Sequence, residues 1–323
     1  MREEIRAELE QEYAQRRAEN ERIEESRKRE IAEKYPEIYA LVREREQLVF
    51  GTLRQILNHQ TREENLPEKM RSLSEQIRRK LKEAGLPENY LEPVYRCPLC
   101  RDTGYTGEPV REMCSCMKEA RQRKMQTQNG LGVNDRETFE HFDLSLFSDQ
   151  RAPGEKRSQR ELMQRAREIC EGWADAWPET TRDMLLTGPS GLGKTFLMRS
   201  MTRRLCERGK DVLMVSAYQM FQTARASYAA NQSEPEELIR PAILMIDDLG
   251  SEPLMQNVTV EQLFLIINRR QELGRSTVIS TNLSTEEFKA RYTERIASRM
   301  MDSTRSRIII LKGKDLRQMR TNA

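Results

Sequence analysis

Apolar positions follow two patterns along this chain, helical stripes toward the amino end and short buried runs toward the carboxyl end. Residues 1 to about 34 are densely charged, with sparse apolar positions at Ile5, Leu9, Tyr13, Ile23 and Ile31; this reads as a solvated or partner-dependent helix, with a disordered charged arm as the alternative. After Pro36 the stripe strengthens through Ile38, Leu41, Val42, Leu48, Val49, Leu53, Ile56 and Leu57. A third stretch carries Met70, Leu73, Ile77, Leu81 and Ala84, entered at Pro67 and ended by Gly85 with Pro87 beyond. Together these predict a small helical N-terminal unit. From about Asn129 to Gly154 the period is lost among Gly130, Gly132, Pro153 and Gly154, which predicts a linker and places the domain boundary there. From Glu161 onward helices alternate with strands expected at Met184–Thr187, Val212–Ser216, Ile243–Asp247, Thr277–Thr281 and Arg307–Leu311. That order predicts a parallel sheet flanked by helices.

The 323 residues leave room for one substantial core and a smaller unit. With 33% charged and 6% aromatic residues, part of the chain is expected to lie outside any compact domain. The net charge of +3 does not decide for or against nucleic acid. No apolar run is long enough to span a bilayer and the start, MREEIRAELEQEY, lacks a signal-peptide core, so a cytoplasmic protein with no membrane partner is expected. In a reducing compartment the crowding of four of the six cysteines reads as a metal site rather than a disulfide framework.

The run Gly188-Pro189-Ser190-Gly191-Leu192-Gly193-Lys194-Thr195 matches the phosphate-binding Walker A pattern, between an apolar strand and a helix. Its glycines let backbone N–H groups wrap phosphates at the positive end of the helix. Lys194 would reach the β- and γ-phosphates, and the Thr195 hydroxyl would bind magnesium. Farther on, ILMIDD delivers Asp247 to the carboxyl edge of the sheet as a second magnesium ligand. Asp248 is then the candidate for orienting the attacking water, or merely a cap on the following turn.

The succession GPSGLGKT, IDDLGSE, STN and ERIASRM resembles the AAA+ ATPases of bacterial helicase loaders, the DnaC/DnaI family, over roughly the last half of the chain. The resemblance implies ATP/ADP and Mg2+ as cofactors, Asn282 as the sensor-1 contact to the γ-phosphate or its water, Arg299 as a finger reaching a neighbouring subunit's nucleotide, and Arg317 as sensor 2. Few residues follow Arg299, so the core is expected to lack the helical lid, as in loaders and IstB-type transposition ATPases. A finger acting in trans implies self-association. The implied partners are a DnaB-type hexameric helicase and single-stranded DNA, loaded under control of ATP binding and hydrolysis. An IstB-type helper acting on duplex DNA is the alternative, and a non-hydrolysing adaptor is a third. On the segment AYQMFQTARASYAANQ, where the family places DNA contacts, Arg225 could meet phosphate and Phe221 or Tyr228 could stack on a base, although aromatics at this spacing also read as core. Arg203, Arg204 and Arg208 read as the solvated face of the Walker A helix.

Cys97-Pro98-Leu99-Cys100 and Cys114-Ser115-Cys116 form two close pairs around a turn-rich loop, which suits a structural tetrahedral zinc site, with free thiols or a redox pair as the alternative. His59 and His141 read as surface or core-packing histidines, with replacement of a cysteine ligand as the alternative. The resulting division is a helical region at 1–95, which the resemblance implies binds the helicase, the zinc segment at 96–120, a linker at 121–154 and the α/β P-loop ATPase domain at 155–323.

Overall fold

The computed structural model describes residues 3–57, 65–132, 136–151, 153–180, 183–230, 234–253, 259–313 and 315–316. The chain divides into two units, Ala7–Met117 and Lys118–Ala323 with Met1–Arg6. His59 and Arg317 lie outside the described residues.

The first unit is built on helices α1 (Glu3–Lys34), α2 (Pro36–Leu57) and α3 (Leu66–Glu83), and on the short strands β1 (Tyr105–Thr106) and β2 (Glu112–Met113). The charged segment is thus a helix rather than an arm, and its sparse apolar positions explain why: Ile31 is buried against Ile38 and Val42 of α2 and Ile77 and Leu81 of α3. A buried aliphatic side chain contributes about 1.5–3 kcal/mol, enough to recruit a helix of weak amphipathicity. Val49 on the α2 stripe is 41% exposed and its neighbour Phe50, off the stripe, 67%; the side chains of Leu53, Ile56 and Leu57 lie outside those described. β1 and β2 pair antiparallel, with Tyr105 opposite Met113, and form the hairpin between the two cysteine pairs.

The second unit runs through α4 (Ser115–Gln128), α5 (Gln159–Ala176), β3 (Asp183–Thr187), α6 (Lys194–Glu207), β4 (Val212–Ser216), α7 (Ala217–Ala229), α8 (Glu236–Ile239), β5 (Ile243–Leu249), α9 (Thr259–Glu272), β6 (Ser276–Thr281), α10 (Thr285–Met300) and β7 (Ser306–Ile310). The five strands β3 to β7 form one parallel sheet in the order β4-β5-β6-β3-β7. Helices cover it, so β3 and β6 are buried along their whole length and read as apolar or small-polar runs rather than alternating ones. Capping boxes at Ser158/Glu161, Ser216/Gln219 and Ser284/Glu287 start α5, α7 and α10.

The segment read as a linker is ordered where it is described. Two 3-10 turns, Phe139–His141 and Leu144–Leu146, carry the buried rings of Phe139, Phe142 and Phe147. Phe142 stacks on Phe147 at 5.7 Å and meets Phe196 of α6 edge-on at 5.3 Å. Its aromatics sit at irregular spacing, so no period announces them. Asn129 completes the outer edge of β4: its amide donates to the Val212 carbonyl (3.1 Å) and accepts from the Met214 N–H (2.6 Å), as a neighbouring strand would.

Of the three arginines read as a solvated face of α6, only Arg208, which caps the helix, is exposed. Arg203 is buried and donates to the Gly132 carbonyl (3.0 Å), and Arg204 bonds Asp175, Glu140 and Glu171. Arg208 reaches the carbonyls of Ala174 and Trp177. They fasten α6 to its neighbours, which a count of charges along one helix cannot show.

Arg270 of α9 is completely buried and donates to the carbonyls of Leu238, Ile239, Pro241 and Ser276 and to the Thr277 hydroxyl. Burial pulls its pKa down to about 9, with Arg275 adding to the effect, so it remains charged at neutral pH. Arg270→Met should therefore lower stability by about 3–5 kcal/mol, because it withdraws donors from carbonyls that water cannot reach. Urea unfolding of the two proteins measures this; unchanged midpoints would refute it.

Candidate functional site

The P-loop leaves the carboxyl end of β3, the strand flanked by β6 and β7, and runs into α6. Gly188 takes φ 142°, and a Cβ there would stand 2.2 Å from the Leu311 carbonyl oxygen, so only glycine lets β7 close beside the loop. Gly193 is left-handed and leads directly into Lys194. The Lys194 ammonium donates to the carbonyls of Gly188 (2.7 Å) and Pro189 (2.8 Å), which curls the side chain back over the loop. Leu316 extends the carboxyl-terminal segment onto the loop through its N–H to the Gly191 carbonyl (3.3 Å).

Beside the loop, β5 brings up its acidic pair. Asp247 Oδ1 accepts from the exposed Thr195 hydroxyl (3.2 Å) and from Ser280 of β6 (2.5 Å). The register of β5 on β6 shifts between Ile246 and Leu249, and within that irregularity Asp248 adopts φ 58°. Its N–H donates to Ser280 Oγ (2.9 Å), so one serine hydroxyl fixes both aspartates. Asp248 is exposed and Asp247 half-buried. A cavity of about 330 Å³ opens here, lined by Asp247, Ser216, Gln219 and Arg199. Asn282 follows β6 directly and is exposed, with its Oδ1 3.3 Å from where a Cβ on Gly250 would lie. Lys194, Thr195, Asp247, Asp248 and Asn282 thus gather on the carboxyl edge of the sheet, while Ser280 went unnoticed in the sequence because only pairing of β5 with β6 reveals it.

The profile described as IstB-like ATP binding protein matches residues 121–322. This chain belongs to that family. Among curated relatives it is 27% identical over 135 residues to the replicative helicase loader DnaC of Buchnera aphidicola, which covers 40% of the chain and 54% of the relative. It is also 30% identical over 149 residues to the uncharacterized protein YdaV of Escherichia coli, which covers 45% and 58%. The chain therefore spans a little over half the length of these relatives. A crystal structure of the DnaC helicase loader aligns at 18% identity and a TM-score of 0.43 over 54% of the chain and 98% of that structure. The IstB-like family is an ATP-binding one, which accounts for a P-loop at this position.

Arg299 lies elsewhere on the IstB-like unit. Its carbonyl accepts from Gln271 and from Ser306, and Gln271 also bonds Asp183, the first residue of β3. It therefore stands at the amino edge of the sheet, whereas its own P-loop leaves the carboxyl edge. Asn268 Oδ1 holds the guanidinium from Nε (3.2 Å) and Nη2 (2.8 Å), and the group lies 4.6 Å from the Phe264 ring centroid. Arg295, one turn earlier on α10, lies over the same ring at 4.5 Å. The sequence placed this second arginine four residues before Arg299, and the shared helical face could have revealed it.

Of the candidate DNA contacts on α7, Phe221 packs into the core with Met220 and Ala224, the alternative its spacing offered, and also lines a groove at the surface. Arg225 and Tyr228 are exposed, and Tyr218, at 59% exposure, is an aromatic that the sequence did not single out. Tyr218 and Arg225 border that groove with Phe221, Gln222, Glu252 and Gln262.

In the first unit the four cysteine sulfurs lie within 4.8 Å of one another. Cys97 and Cys114 are 3.8 Å apart, and Cys100 and Cys116 3.5 Å. Four thiolates around zinc at about 2.3 Å would stand roughly 3.8 Å apart, so the set fits that ion. The backbone N–H of Cys100 holds the Cys97 thiol down to about 7, whereas burial pushes Cys116 up to about 12. Four sulfurs this close cannot all ionise without a cation among them. Gly104 N–H donates to Cys100 Sγ (3.3 Å) and the Tyr13 hydroxyl to Cys116 Sγ (3.2 Å). Buried Asp102 accepts from the N–H groups of Arg96 and Cys97 and from the Asn20 amide, which fixes the turn carrying the first pair. Its burial would raise its pKa, yet those donors hold it below the usual carboxylate range. No histidine joins the cluster among the described residues, and His141 bonds Thr138 at 2.9 Å.

Proposed function

We propose that this protein is an Mg-dependent ATPase that loads a DnaB-type replicative helicase onto single-stranded DNA, with ATP binding and hydrolysis as the assembly and release switch. The observation that carries the ATPase reading is the meeting of Thr195 and Asp247 at the mouth of the P-loop. A hydroxyl and a carboxylate at that separation are the two protein ligands a magnesium ion needs beside a nucleotide's phosphates. Residues 188–195 would cradle the phosphates, with Lys194 turning from its loop carbonyls to the β- and γ-oxygens. Asp248 and Asn282 would orient the water, and Arg317 would meet the nucleotide as sensor 2. Arg299 would complete a neighbour's site, so the working form is an oligomer. Zinc in the cysteine cluster would staple the first unit, which would hold the helicase; the exposed Val49 and Phe50 on α2 offer apolar contact area for it.

Lys194→Ala should reduce turnover at least about 100-fold by removing a preorganised positive charge from the transferring phosphoryl group. Turnover at saturating ATP, read beside nucleotide binding, measures it; a variant within twofold of the parent would end the ATPase assignment. The loader reading competes with an IstB-type helper on duplex DNA. A size-resolved binding assay with the replicative helicase, with and without ATP and single-stranded DNA, separates them. A complex formed through the cysteine-bearing unit supports the loader. Absence of that complex, with ATP-dependent assembly on duplex DNA, supports the helper.

A further inference from the structure

Glu252 is a buried acid four residues beyond Asp248, and neither phosphate binding nor metal binding uses it. Its side chain is only 2% exposed. Oε2 accepts from the Gly250 N–H (2.7 Å), which fixes the turn that follows the acidic pair. Oε1 accepts from the Tyr292 hydroxyl, and the Arg291 guanidinium donates to the Glu252 carbonyl (2.5 Å) while standing 3.5 Å from the same Oε1. Gly250 itself lies against Asn282 and Leu283: a Cβ on it would come within 3.3 Å of the Asn282 Oδ1. One carboxylate therefore ties the turn beside the nucleotide edge to α10.

α10 is not a uniform rod. Thr293, directly after Tyr292, takes φ 72° and ψ 158°, so the helix breaks there. The part before the break is held by Glu252 through Arg291 and Tyr292. The part after it carries Arg295 and Arg299 on Phe264, with Ile296, Ala297 and Met300 buried beneath. A left-handed backbone at a β-branched residue costs roughly 1–3 kcal/mol and persists only where its surroundings impose it. The Glu252 clamp grips α10 immediately before that residue.

We infer that Glu252 is a positioning residue that sets the direction of the second half of α10, and with it the Arg299 that a subunit offers to its neighbour's nucleotide. The inference rests on the proposed action of Arg299 in trans. The two oxygens of the Glu252 carboxylate and its backbone carbonyl satisfy Gly250, Tyr292 and Arg291 together. A glutamine keeps the size but replaces one acceptor with a donor facing those donors.

Mixed oligomers of full-length chains provide the test. A Lys194→Ala chain supplies a finger without turning over its own nucleotide, and an Arg299→Ala chain binds ATP without supplying a finger. Mixing them should restore ATP turnover. Adding Glu252→Gln to the Lys194→Ala chain should then lower kcat of the mixture by roughly ten- to a hundred-fold, as misplacement of a reacting group by about 1 Å does, with KM within about twofold. Tyr292→Phe on the same chain should move kcat in the same direction, and serves in its place if Glu252→Gln does not fold by thermal melting. Full kcat with either folded donor overturns the positioning role. Failure of the unmodified pair to restore turnover overturns the trans action of Arg299, and the two failures are read from different mixtures.

Discussion

Arg299→Ala is expected to lower ATP turnover of the assembled protein by about 10³-fold or more while nucleotide affinity of the single chain stays within about twofold. The geometry separates the two quantities. Arg299 sits at the amino edge of the sheet, tied through Gln271 to Asp183 at the start of β3, whereas the P-loop leaves the end of that strand. Five residues of β3 at about 3.3 Å each keep it from its own nucleotide. Its guanidinium is nonetheless held ready by Asn268 and the Phe264 ring, with no carboxylate partner among the described residues. Turnover per chain should thus rise with protein concentration for the parent and stay flat for the variant. Normal turnover by Arg299→Ala under assembling conditions would remove the finger assignment, and Arg295→Ala would then be the next substitution to measure.

Removing metal should have the second large effect. A strong chelator, or Cys97→Ser with Cys100→Ser, should unfold the segment around β1 and β2 and leave nucleotide binding within about twofold. Structural zinc supplies about 10–16 kcal/mol of apparent binding free energy near pH 7, far more than two two-residue strands gain from pairing. The P-loop unit has a core of its own, in which Leu185, Leu244, Ile246 and Ile279 are buried. Proteolysis between residues 97 and 116, followed with and without chelator beside nucleotide binding, reads both halves. One zinc per chain is expected by metal analysis. Metal-free protein that resists cleavage there would sink the zinc reading and return the cluster to free thiols.

The sequence by itself determined what depends on neighbours along the chain. The five sheet strands lie within two residues of where apolar runs place them; β3 and β6, buried along their whole length, write that burial as a continuous run. The P-loop and the two cysteine pairs were legible for a similar reason: glycine conformations and ligand spacings are local requirements. What only the tertiary structure decided involves partners far apart in sequence. Phe221 turned inward, Arg203, Arg204 and Arg208 became fasteners, and the segment around Phe142 became part of the packed core. Ser280 holds both aspartates from the next strand, Asn129 edges β4 from 83 residues away, and Glu252 meets Tyr292 from 40. A side chain's period along its own helix or strand says which face it occupies. Only packing says whether that face meets water, a carbonyl or another charge, and the cost of leaving a buried polar group unpaired then fixes its partner.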